Sequence, residues 1–143
     1  MQTRAILIPM IISLAAMAAC NQPTETDLKL HRWVLESING DALPATQDHG
    51  KIPEMNFDEQ MRVTGNNGCN QISGQAVLRD GFFLIETMAS TRMMCPPPWR
   101  DIELIVQAAL TRESAISLDS DRNLTIRSAD TTLVLRLEDR ATE

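Results

Sequence analysis

Gly65-Asn66-Asn67-Gly68-Cys69-Asn70-Gln71-Ile72-Ser73-Gly74 is the stretch on which the fold turns. It packs three glycines, three asparagines and a cysteine into ten residues between two strand-like runs. Glycine takes positive φ without steric cost. Asparagine tolerates the left-handed region and hydrogen-bonds its own backbone. Such a segment bulges or folds tightly back on neighbouring chain. A second segment, Thr91-Arg92-Met93-Met94-Cys95, sets another cysteine just before Pro96-Pro97-Pro98.

Outward from this centre the chain reads as strands. Before it, Arg32–Ile38 ends at Asn39-Gly40, a strong turn signal. Ile52–Phe57 and Gln60–Thr64 alternate and form a hairpin. After it, Gly74–Arg79 and Phe82–Glu86 flank Asp80-Gly81, a hairpin turn. Residues 87–98 read as irregular. Trp99, Ile102, Val106, Ala109 and Leu110 then fall on one helical face, which predicts a helix from about Trp99 to Arg112. Residues 115–118, 123–127 and 132–137 are short strands separated by turns. A lone helix buries its apolar face against a sheet. The expected class is α+β, mainly β: about eight short antiparallel strands in a partly closed barrel, with one helix packed across it.

The chain has 143 residues and a formal charge of −6, with aromatics at 3%. Nucleic-acid binders carry a basic face and stacking rings, so nucleic acid is not an expected partner. Residues 1–19 begin with Arg4 as the lone charge and continue as a short apolar run that reads as an export signal. The run is shorter than the ~20 residues a spanning helix needs. Met17-Ala18-Ala19-Cys20 resembles a bacterial lipobox, in which the cysteine becomes the acylated first residue of the mature protein. Removing residues 1–19 takes out Arg4 and no acid, so the charge becomes −7. With Cys20 lipidated, two of the three cysteines remain, Cys69 and Cys95, an even pair in an oxidising compartment. Residues 20–30 read as a polar tether, 31–138 as the folded domain and 139–143 as a charged tail. Asn21, standing where an Asp would favour the inner membrane, favours the outer membrane.

Trp33, then Gly65-x-x-Gly68-Cys69-Asn70-x-x-x-Gly74, then Thr91-Arg92-Met93-Met94-Cys95, then Glu103 and Leu110 in the helix, and Leu124-Thr125-Ile126, together resemble the META domain family. The resemblance spans about Leu30 to Leu137. It departs at Met94, where many members have alanine. It implies a small β-rich domain crossed by a helix, in exported or lipid-anchored proteins tied to envelope stress, drug tolerance, motility or secretion. The domain is also similar in shape to lipoproteins that pilot outer-membrane secretins. No catalytic residues come with the resemblance.

Cys69 and Cys95 are open to three readings. As a structural disulfide they close a loop of roughly 27 residues, worth ~3–4 kcal/mol. As a redox dithiol they lack a Cys-x-x-Cys arrangement and an adjacent Lys or His to lower a thiol pKa. As soft ligands, Cys95 with Met88, Met93 and Met94 could hold copper(I), although methionine is also a common gap-filler in cores. The histidines, His31 and His49, lie beside the tether and in a loop, and no serine sits in a Gly-x-Ser-x-Gly elbow. No catalytic, cofactor or metal site is therefore expected. Asn70, Thr91 and Arg92 are expected to hydrogen-bond irregular backbone beside the cysteines. Trp33 and Trp99 are core or rim residues, and Trp99 could line a barrel mouth that takes an apolar ligand. The expected protein is a monomeric, non-enzymatic envelope protein held to the membrane by acylated Cys20, with an envelope protein or apolar ligand as partner. The rival is a thiol-redox or copper-handling periplasmic protein.

Overall fold

The computed structural model describes residues 22–46 and 50–138. The expected signal peptide, Cys20, His49 and the charged tail lie outside the described residues. The elements run α1 (Glu25–Leu28), β1 (Arg32–Ile38), β2 (Asp41–Ala42), β3 (Glu54–Phe57), β4 (Arg62–Asn66), β5 (Gln71–Arg79), β6 (Phe82–Ser90), α2 (Trp99–Leu110), β7 (Ser114–Leu118), β8 (Asn123–Arg127) and β9 (Thr132–Glu138).

Every strand pairs antiparallel with its neighbour, in the order β1-β3-β4-β5-β6-β7-β8-β9, and β9 returns to pair with β1. The expected barrel therefore forms, and it closes. Closure removes the free sheet edges that invite aggregation. The thinnest seam is β6–β7, paired only at Phe82–Ala115 and Phe83–Ser114. The short β2 is additional to the ring and extends it beside Ser37 and Ile38.

The alternation seen in the sequence points inward as expected. Met55 and Phe57, Val63, Leu124 and Ile126, and Leu133 and Leu135 are all buried. Asn39-Gly40 and Asp80-Gly81 both have positive φ at their two residues, the backbone of the tight turn that matches strand twist. Antiparallel closure puts alternate connections at opposite ends. One end carries the β3–β4, β5–β6 and β7–β8 turns. The other carries the 67–70 and 91–98 loops and α2. Trp99, Ile102, Val106, Ala109 and Leu110 turn inward from α2, as expected. The cavity left beneath α2 is only ≈ 10 Å³ and lined mainly by apolar side chains, at the lower limit of size for one water.

Three local expectations are corrected. The described part of the expected tether is structured: Pro23 is buried, α1 follows, and Leu28 is fully enclosed in the core. A capping box holds this turn, with Thr24 donating from its backbone N (2.7 Å) and its hydroxyl (2.6 Å) to Asp27 Oδ2. The stretch read as irregular from residue 87 continues as β6 to Ser90. It does so through a bulge, where Thr87 takes φ 50° opposite Gly74. The helix ends at Leu110 rather than Arg112.

Candidate functional site

The two signature segments meet at the α2 end of the barrel. Cys69 and Cys95 form a disulfide with Cα atoms 5.9 Å apart, bridging 26 positions of chain. The bond ties the β4–β5 loop to the segment between β6 and α2. Cys69 is buried and Cys95 half-buried.

Asn70 is the hub. It is 2% exposed, and its side chain uses its full hydrogen-bonding capacity of two donors and two acceptor sites. Nδ2 donates to Glu103 Oε1 (2.6 Å) and to the Met93 carbonyl (3.3 Å). Oδ1 accepts from the Met93 N–H (2.6 Å) and the Thr91 hydroxyl (2.9 Å). Thr91 Oγ1 in turn accepts the Gln71 N–H at 3.0 Å. One side chain thus satisfies both backbone groups of Met93, which would otherwise be left unpaired in irregular chain. This is the backbone role expected for Asn70 and Thr91.

Asn67 completes the loop. It is fully buried, and its Oδ1 accepts the backbone N–H of Cys69 (3.2 Å) and of Asn70 (2.8 Å). Its Nδ2 donates to the same Glu103 oxygen at 3.5 Å. The glycines fit this geometry. Gly68 has φ +106°, and a Cβ there would lie 3.1 Å from Ile102. A Cβ at Gly65 would meet the Glu54 carbonyl at 1.9 Å, so β3 and β4 approach too closely for any side chain. Gly74 sits in β5 opposite the β6 bulge.

The remaining signature residues separate. Trp33 is buried in β1, between Met55 of β3 and Leu137 of β9. Trp99 is buried against Gly50 and Gly68. Arg92 joins none of these contacts: it is exposed and has no ion pair among the described residues. Asn67 and Arg100 were not singled out by sequence. Asn67 looked like one more turn asparagine, and its contact with Glu103 bridges 36 positions, a distance that no local pattern reveals.

Beside the disulfide lies an open groove of ≈ 540 Å³ between the end of β6, the 91–95 segment and the outer side of α2. Met88, Met93, Met94 and Leu104 give it an apolar lining, and Arg92, Arg100 and Glu103 supply charge. Met94 is 90% exposed and Met93 57%, beside Leu104 at 58%. Methionine thioethers adapt to irregular partners, and exposed apolar clusters with a polar rim mark interaction sites. No helix among the described residues is long and apolar enough to cross a membrane.

The comparisons with known proteins agree with this geometry. The sequence model of the META domain matches residues 26–141. The chain is 35% identical over 117 residues to heat shock protein HslJ of Escherichia coli strain K12, covering 81% of this chain and 80% of that protein. A solution structure determined by NMR superposes with TM-score 0.70 at 31% identity, covering 84% of this chain and 99% of the other. A second, from Burkholderia xenovorans, gives TM-score 0.66 at 24% identity, covering 93% and 100%, and bears on the fold alone.

Proposed function

The chain belongs to the META domain family, and from that membership we propose a lipid-anchored, non-enzymatic protein of the bacterial cell envelope. It supports envelope integrity or stress tolerance by holding a partner protein or lipid in the groove beside the disulfide. The stress role extends to this chain what the name of HslJ says of that protein. The anchor rests on Met17-Ala18-Ala19-Cys20 and the apolar run before it.

One observation carries the binding role. Asn70 and Thr91 spend their hydrogen bonds inside the molecule, on Met93, Glu103 and one another, while exposed Arg92 and the apolar side chains of Met93 and Met94 face outward onto the groove. Such a motif builds a rigid rim for a surface. A reaction centre needs polar groups left available to substrate.

Replacing Cys20 by alanine tests the anchor. The expected result is release of the domain into the soluble periplasm and loss of acyl mass from the mature N-terminus. Retention of Cys20→Ala in the membrane fraction contradicts the anchor. A thiol-redox role would require the Cys69–Cys95 bond to open in cells. Thiol trapping of the periplasmic protein is expected to find both cysteines oxidised, and two free thiols in native protein would favour that rival.

A further inference from the structure

The structured N-terminal segment has a consequence for how the domain sits on a membrane. This inference rests on lipidation of Cys20, as proposed above. One residue, Asn21, separates Cys20 from Gln22. Two residue steps reach at most ~7 Å. Gln22 is not a free end of chain: its amide lies against Gly81 in the β5–β6 turn, so that a Cβ on Gly81 would meet it at 2.7 Å. Behind it, buried Pro23, the Thr24–Asp27 capping box and fully buried Leu28 fix the chain to the barrel. The anchor therefore has almost no slack.

We propose that the outer surface around Phe82, at the β5–β6 turn, rests on the lipid bilayer, and that the groove is thereby held on the side away from it. The surface suits a membrane interface. Phe82 is 45% exposed beside Gln22, Gly81 and Ala115. Exposed Arg127 lines the same place and exposed Arg79 is the strand partner of Phe82, neither with an ion pair among the described residues; Asp80 is the acid that lines it. An exposed Phe ring buries at the boundary of headgroups and acyl chains, and unpaired arginines favour phosphate headgroups. Phe82 opens β6 and Met88 lies near its other end. At ~3.3 Å per residue the two are roughly 20 Å apart along the strand. The groove then opens to the aqueous side, within reach of partners that are not part of the anchoring leaflet.

The test uses the full-length acylated protein in vesicles of phosphatidylethanolamine and phosphatidylglycerol. An environment-sensitive fluorophore is attached at Phe82→Cys, at Ser120→Cys in the β7–β8 turn, or at Met94→Cys on the groove, with the native disulfide left oxidised. The label at residue 82 is expected to shift to the blue and to be quenched by iodide several-fold less than the label at residue 94. The label at residue 120 is expected to fall between them. Acylated, vesicle-bound protein with equal quenching at 82 and 94, or with the reverse order, overturns the orientation alone. Protein whose intact mass shows no acyl groups and which fails to float with vesicles overturns the anchor, and the orientation with it.

Discussion

Asn70 shows at single-residue scale how a polar signature can be structural. Its amide holds Met93 and Glu103 at once, so truncation takes the partner from both backbone groups of Met93 and leaves Glu103 only the longer bond from Asn67. Asn70→Ala is expected to cost about 2–4 kcal/mol in urea unfolding. Glu103→Gln keeps an acceptor for the amide and should cost clearly less than Glu103→Ala. A double-mutant cycle between Asn70→Ala and Glu103→Ala should give a coupling of ~0.5–3 kcal/mol, and strict additivity would deny the contact. Acid response is also set by single residues. The Thr24 hydroxyl and backbone N–H hold the Asp27 carboxyl below its ordinary value of 3.8, and bonds from Asn123 do the same for Asp119. A carboxyl lowered in the folded state contributes stability above its unfolded value and loses it as pH falls through the folded one. Stability measured by urea unfolding should hold from neutral pH to about 5 and decline below about 4. The sequence made Asn70 and Thr91 legible as backbone satisfiers because they flank irregular chain. It misplaced Arg92, which shares their motif but points to solvent, because adjacency in sequence does not give side-chain direction.

Among the elements, strands were the most legible. Their two-residue alternation and their Asn-Gly and Asp-Gly turns are local features. α1 was not, because Asn21–Leu30 is polar in composition and its one decisive residue, Leu28, has no periodic neighbours to mark it. Leu28→Ala should cost ~2–5 kcal/mol as a core truncation. An effect below about 0.5 kcal/mol, the usual size at an exposed site, would restore the segment to a loose tether. The continuation of β6 past residue 86 was hidden by the bulge at Thr87, which breaks the alternation. The disulfide constrains two elements rather than one residue. Cys69→Ser is expected to remove about 3–4 kcal/mol, with the barrel ring itself retained in far-UV circular dichroism, since none of its strands includes either cysteine.

For the whole molecule, closure of the ring follows from the pairing of β1 with both β3 and β9, a long-range contact that strand patterns alone leave open between a barrel and an open sheet. Its interior is filled and Trp99 is buried at the barrel mouth, so the proposed binding surface is the groove outside α2. The groove itself was only half legible. Met88, Met93 and Met94 stood out by composition, but Leu104 and Arg100 reach them only because α2 crosses that end of the barrel. The claim that this surface is where the protein meets its partner is tested most directly by site-specific photo-crosslinking in intact cells. A photoreactive residue at position 94 should give a discrete adduct, lost when Met93 and Leu104 are replaced by aspartate and absent from a control at exposed Glu113. No adduct above that control, or one indifferent to the two aspartates, would contradict the account.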